Sequence, residues 1–246
     1  MRNLTLPENS LEVCEMEEND AIDLLLKGSY VDPSSKEFWA EASKIVKEFF
    51  CHPLAIDQAG AYIASGATTI GDYLAKYSEH QKSLLSHSEF TRASKYNRSV
   101  YGTWELSYKE IEKRAESDDP HRANAATSAM LLLNLFPFFH YEGITEEIFS
   151  YAALQEDVES ASPALPIASS ILDRRLLRLN KTGAWDNFLF REGIRILLSF
   201  CLIRKGPSDC VYAMHPLIHT WGRDRICLNE RKHCCLMAYA TLSCSL

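Results

Sequence analysis

Apolar positions recur with helical spacing along most of the chain. Ala21, Leu24 and Leu25 line one face of Met16–Lys27, which predicts a helix stopped by Gly28. Tyr30–Ser35 reads as a turn broken by Pro33, with Ser34 or Ser35 capping the next helix and Glu37 in its first turn. Phe38, Trp39, Ala42, Ile45, Val46 and Phe49 give that helix its buried stripe. Pro53 cannot continue it but suits the first turn of another, and Leu54–Ser65 is apolar on nearly every side, as a buried helix is. Thr69–Tyr77 predicts a further short helix.

Ser78–Arg98 is polar with little apolar rhythm and reads as a connection between subdomains. Helical spacing resumes over Ser99–Ile111, gives way to a solvated loop at Glu116–Arg122, and is strongest over Asn124–Phe136. Ile144–Leu154 predicts a helix with Thr145 as its cap, followed by a loop over Gln155–Pro166. Phe188, Ile194, Leu197, Leu198 and Leu202 predict another helix, and two β-leaning runs about Gly206-Pro207-Ser208-Asp209 predict a hairpin. Pro216 opens a last helix over Leu217–Ile226, before an apolar, cysteine-bearing tail. The pattern predicts a mostly α fold, a helical bundle followed by a winged-helix module with a short β-hairpin wing. The expected boundaries are 1–94, 95–228 and a helical tail over 229–246.

Composition sharpens this picture. The 246 residues are 46% hydrophobic and 24% charged, which can build a core and argues against wholesale disorder. The formal charge of −7 argues against a phosphate-tracking surface and so against duplex DNA. No secretory signal pattern and no run of about 18 apolar residues is present, so the expectation is a cytoplasmic chain with no membrane partner. On that expectation the eight cysteines are reduced thiols, and the glycosylation triplets at Asn3, Asn97 and Asn180 are chance.

Enzyme signatures are absent from the sequence. It contains no G-x-x-x-x-G-K-[ST] phosphate loop and no G-x-S-x-G elbow. His215 and His219 stand four apart like two zinc ligands, but Pro216 occupies the position where zinc proteases carry glutamate. His233, Cys234 and Cys235 are too crowded to chelate one ion. Glu17, Glu18, Glu146 and Glu147 read as helix-start charges, and Trp104, Trp185 and Trp221 as core. Asp173–Arg178 reads as a solvated helix face, or, on a DNA-binding reading, as a recognition helix using Arg174, Arg175 and Arg178.

Two segments carry a family resemblance. Cys51-His-Pro-Leu-Ala-Ile-Asp-Gln-Ala-Gly-Ala-Tyr-Ile63 resembles the Gly-x-Pro motif of STAND-class signalling NTPases, the NB-ARC and NACHT-like family, in its fungal NLR-like form with tetratricopeptide repeats. Met214-His-Pro-Leu-Ile-His-Thr-Trp-Gly-Arg-Asp-Arg225 resembles that family's Met-His-Asp motif. Between them, Ser99–Tyr108 and Ala129–Phe136 are similar to the opening of its winged-helix subdomain. The resemblance implies that Pro53, followed by Leu54, abuts the adenine of bound ADP, and that His215 reaches the β-phosphate and latches a resting state released as ATP replaces ADP. It implies as partners a nucleotide-binding domain supplied from elsewhere, full-length homologues, or other signalling proteins. Phe50 at the motif's glycine position, His52 where leucine is common, and Pro216 at the aspartate depart from the pattern. The implied role is the regulatory portion of a signal-transduction ATPase, not catalytic by itself. The alternatives are a winged-helix DNA-binding module and a ligand-free helical adaptor.

Overall fold

A computed structural model describes residues 16–86, 99–154 and 175–245. Ten α-helices and a small antiparallel sheet are found among these residues, and the chain divides into two compact units, Met1–Val100 and Tyr101–Leu246. The predicted Gln155–Pro166 loop and the end of the predicted subdomain connection lie outside the described residues.

The first unit holds α1 (Glu18–Ser29), α2 (Lys36–Glu48), α3 (Pro53–Ala64) and α4 (Tyr73–Ser86). The Ser35 hydroxyl accepts the Phe38 N–H and caps α2. Gly28 does not stop α1. It lies inside the helix at the crossing with α3, where a β-carbon on Gly60 would sit 3.1 Å from the Gly28 carbonyl carbon. Removing both side chains there lets two helix backbones touch. Phe49 fills the space beyond, edge-on to Tyr73 at 6.1 Å and Tyr77 at 4.9 Å. The polar stretch expected to be a connection is helical as far as Ser86, because α4 begins later than predicted and continues through it.

The second unit contains α5 (Val100–Ala115) from Tyr101 onward, α6 (Pro120–Leu135), a 3-10 turn (Phe136–Phe138), β1 (Ile144–Thr145) and α7 (Glu146–Leu154). It continues with α8 (Phe188–Ser199), β2 (Arg204–Lys205), β3 (Val211–Ala213), α9 (Pro216–Arg225) and α10 (Leu228–Ser243). Helix α6 starts earlier than the apolar pattern suggests, since Asp119 accepts the His121 N–H as N-cap and Pro120 takes the first turn. Its long contact with α8 forms the core of the unit, joined by Phe149 at 6.3 Å from Phe136 and 4.7 Å from Phe190. The tail is an ordered helix, α10, packed on α6 and α7.

The expected hairpin forms, with Lys205 opposite Tyr212 and Arg204 opposite Ala213. It belongs to a three-stranded sheet of order β1-β3-β2, in which Ile144 pairs with Tyr212. Thr145 is therefore in a strand, directly before the first residue of α7. Two residues are too few for an alternation signal, and only pairing with β3 makes them a strand. Of the arginine cluster, Arg174 lies outside the described residues, and Arg175 and Arg178 lie in a turn segment, not on a helix face. Leu176 and Leu177 are buried there, and the Leu176 carbonyl accepts the Trp185 indole N–H at 2.9 Å. Trp104 and Trp221 are core, as expected, while Trp185 is half-buried.

Three helices end alike. After α1, α2 and α8 the chain turns through a left-handed residue, Tyr30 (φ 56°), Phe50 (φ 51°) and Cys201 (φ 54°). Each end carries the paired backbone bonds of a Schellman motif, such as Phe50 N–H to the Lys47 carbonyl and Cys51 N–H to the Val46 carbonyl. A side chain in this conformation costs about 1–2 kcal/mol, against which glycine loses about 0.5–1 kcal/mol in unfolded-state entropy. Tyr30 is 89% exposed and gives up no packing when removed. Tyr30→Gly is therefore expected to raise stability by about 0.5–1 kcal/mol in urea titration, and a loss of stability would mean that the Tyr30 ring makes a contact of its own.

Candidate functional site

The two motif segments adopt the same local structure. In the first unit, Phe50 and Cys51 are consecutive left-handed residues (φ 51° and 54°), and they swing the chain from α2 into α3. His52 is the N-cap of α3: its Nδ1 accepts the Ala55 N–H at 3.3 Å, and Pro53 takes the first helical position. Phe50 thus occupies a backbone state that glycine adopts without strain. Pro53 and Leu54 are both half-buried at the start of a helix whose next residues, Ala55–Gly60, are buried throughout. Gln58, buried among them, accepts the Val100 N–H at 3.1 Å.

In the second unit the segment Met214–Leu217 repeats the device. His215 is the N-cap of α9, its Nδ1 accepts the Leu217 N–H at 3.2 Å, and Pro216 takes the first position. Because Nδ1 is the acceptor, the neutral ring carries its proton on Nε2, an atom shielded from solvent. Met214, almost fully buried, donates its N–H to the Tyr141 carbonyl at 2.7 Å and anchors the corner. Pro53 and Leu54 thus belong to the first unit and His215 to the second.

The zinc-like pair is otherwise employed. His219 Nε2 donates to the Phe139 carbonyl at 2.9 Å, and His215 Nδ1 serves the helix cap. Among the described residues no group of three His, Cys, Asp or Glu side chains could hold a metal ion, including the stretch around Cys234, which is buried in α10. None of the seven described cysteines forms a disulfide.

A polar hub escaped the sequence reading. Glu146, read as a helix-start charge, does stand in the first turn of α7, but it is also buried. Its Oε2 accepts Arg191 Nε at 3.1 Å and Nη2 at 3.0 Å, and its Oε1 accepts the Tyr212 hydroxyl at 2.9 Å. The hub ties the start of α7 to α8 and to β3. Burial, then the bond to Glu146, pushes the Tyr212 hydroxyl up, so it stays a neutral donor. Hydrogen bonding to the Glu146 carboxylate, reinforced by its charge, raises Arg191. Beside the hub a cleft of about 400 Å³ lies between α8 and the hairpin, lined in part by Arg191, Arg195, Lys205 and Asp209. Glu146, Arg191 and Tyr212 are 45 and 66 positions apart, and no local pattern links them.

No family model, curated protein or solved structure matches this chain. Among the described residues no helix is long and apolar enough to cross a membrane.

Proposed function

We propose that this chain is the regulatory, ADP-sensing switch portion of an NB-ARC-like signal-transduction ATPase, and that it does not hydrolyse ATP by itself. On this reading the second unit serves as the winged-helix module. The observation that carries the reading is the shared build of the two motif segments, each a helix opened by a histidine cap and a first-turn proline. Pro53 offers a rigid ring without an N–H to an adenine face. His215 offers an Nε2–H at the start of α9, where the helix dipole favours an anion. The phosphates would be held chiefly by a nucleotide-binding domain supplied from elsewhere, and full-length homologues are the expected partners.

Millimolar ADP tests this directly. A ligand at ten times its Kd stabilises by about 1.4 kcal/mol, which raises Tm by roughly 3–6 °C in a chain of this size. The rise is expected in the wild type and is expected to vanish in His215→Ala and Pro53→Ala. A flat wild-type response at saturating ADP would leave the adaptor reading in its place. The DNA-binding reading draws on Arg174, Arg175 and Arg178, and it is the lesser reading because Arg175 and Arg178 lie in a turn segment where a recognition helix is expected.

A further inference from the structure

Helix α10 carries apolar side chains on two opposite faces. Cys234, Met237, Ala238 and Ala240 are buried against the rest of the unit. On the outer side Leu228 is 64% exposed and Tyr239 54%, and Lys232 and Cys235 are exposed between them. With half-buried Leu242, these positions follow one another at alternating steps of four and three residues, the spacing of a coiled-coil seam. Leu236, also exposed, widens the stripe along one flank. A helix that is apolar all round is ordinarily buried all round, and the outer stripe of α10 is not.

Charge along α10 is confined to its first turns. Glu230, Arg231 and Lys232 lie there, and no side chain from Cys234 to Leu246 is charged. Arg231 is turned inward and donates to the Arg223 carbonyl at 2.7 Å, so Lys232 is the cation that stands in the stripe. A single lysine within such a seam fixes register and orientation. Two copies paired in parallel would set Lys232 beside the partner's Lys232, which like-charge repulsion opposes. Paired antiparallel, the charged end of each helix lies on the uncharged end of the other. Lys232, three positions before Cys235, then comes within reach of the partner's Tyr239, four positions after it, and the ring face attracts the ammonium group. Leu228 and Leu242 stand seven positions to either side of Cys235 and meet in the same way. The stripe thus complements its own reversed copy, as a two-fold axis near Cys235 requires.

We propose that the outer stripe of α10 is a self-association surface: two copies of the chain pair antiparallel through Leu228, Lys232, Cys235, Tyr239 and Leu242, each Lys232 lying against the partner's Tyr239. The helix is already folded on its own unit, so pairing has only side chains to order. Its 16 residues give a contact about 24 Å long, smaller than a permanent interface, and the dimer is therefore reversible, forming between micromolar and millimolar chain. Helix α10 lies outside both motif segments, so the surface is independent of the nucleotide reading.

Sedimentation equilibrium of the full chain across that range reads the monomer–dimer constant. The wild type is expected to dimerise. Tyr239→Lys sets a lysine against the partner's Lys232 and is expected to weaken the dimer about tenfold, while the melting of the dilute monomer stays level. Adding Lys232→Glu to Y239K restores opposite charges across an antiparallel pair and is expected to bring the dimer back. In a parallel pair the same two changes oppose like to like and rescue nothing. A wild-type chain that stays monomeric up to millimolar concentration, a dimer that Y239K leaves intact, or one that it weakens and K232E does not restore overturns the proposal. Should Y239K fail to fold, Leu228→Lys takes its place at the exposed start of the helix, and a dimer that L228K leaves intact counts against the proposal equally.

Discussion

Gly193→Ala is expected to lower stability by about 3 kcal/mol, near the upper end for overpacking a core. Gly193 lies at the crossing of α8 with α6, and an added β-carbon would meet the Ala129 nitrogen at 2.9 Å and the Ser128 carbonyl carbon at 3.0 Å. Both are backbone atoms of a helix, so no rotamer change makes room. The helices must separate, and the packing of Phe190, Ile194 and Leu197 loosens with them. Urea titration reads the effect as a fall in midpoint of roughly 1–2 M at an ordinary slope. The Leu132 methyl is the one side-chain atom among the close neighbours, at 3.1 Å. A backbone origin predicts that Leu132→Ala does not rescue the variant. A loss under about 0.5 kcal/mol, within the range of surface substitutions, would show that the crossing has play.

The second large effect is expected at Glu146. Glu146→Ala should cost about 3 kcal/mol, since it strands the buried Tyr212 hydroxyl and leaves a void where the carboxylate stood. Arg191 responds differently. Its side chain is 56% exposed and water replaces the lost partner, so Arg191→Ala should cost under about 1 kcal/mol. The hub therefore predicts an asymmetry between two members of one ion pair. Introducing Tyr212→Phe into E146A removes the stranded hydroxyl and should recover part of the loss, which a double-mutant cycle measures. If R191A proved as costly as E146A, the guanidinium and not the tyrosine would be the partner that matters.

Much of the helical framework was legible in the sequence because its signals are local. Pro53 and Pro216 mark helix starts by their geometry, Ser35 caps α2, and the apolar stripe of Phe38–Phe49 needs only a 3.6-residue period to be read. The hairpin was legible from its turn residues. Helix ends were less so. The left-handed positions that terminate α1, α2 and α8 carry tyrosine, phenylalanine and cysteine where glycine would have announced them. For the same reason Gly28, read as a stop, proved to be a contact surface.

The candidate site divides along the same line. The sequence determined on its own that Pro53 and Pro216 open helices, while the His52 and His215 caps, which reach only two or three positions along the chain, came from the structure. The tertiary structure alone decided that Glu146 is buried between Arg191 and Tyr212, that Ile144–Thr145 is a strand, and that His219 belongs to a carbonyl 80 positions away. A hydrogen bond between distant positions leaves no period in the sequence. Burial, which decides whether a carboxylate or an imidazole stays charged, exists only once the helices have packed.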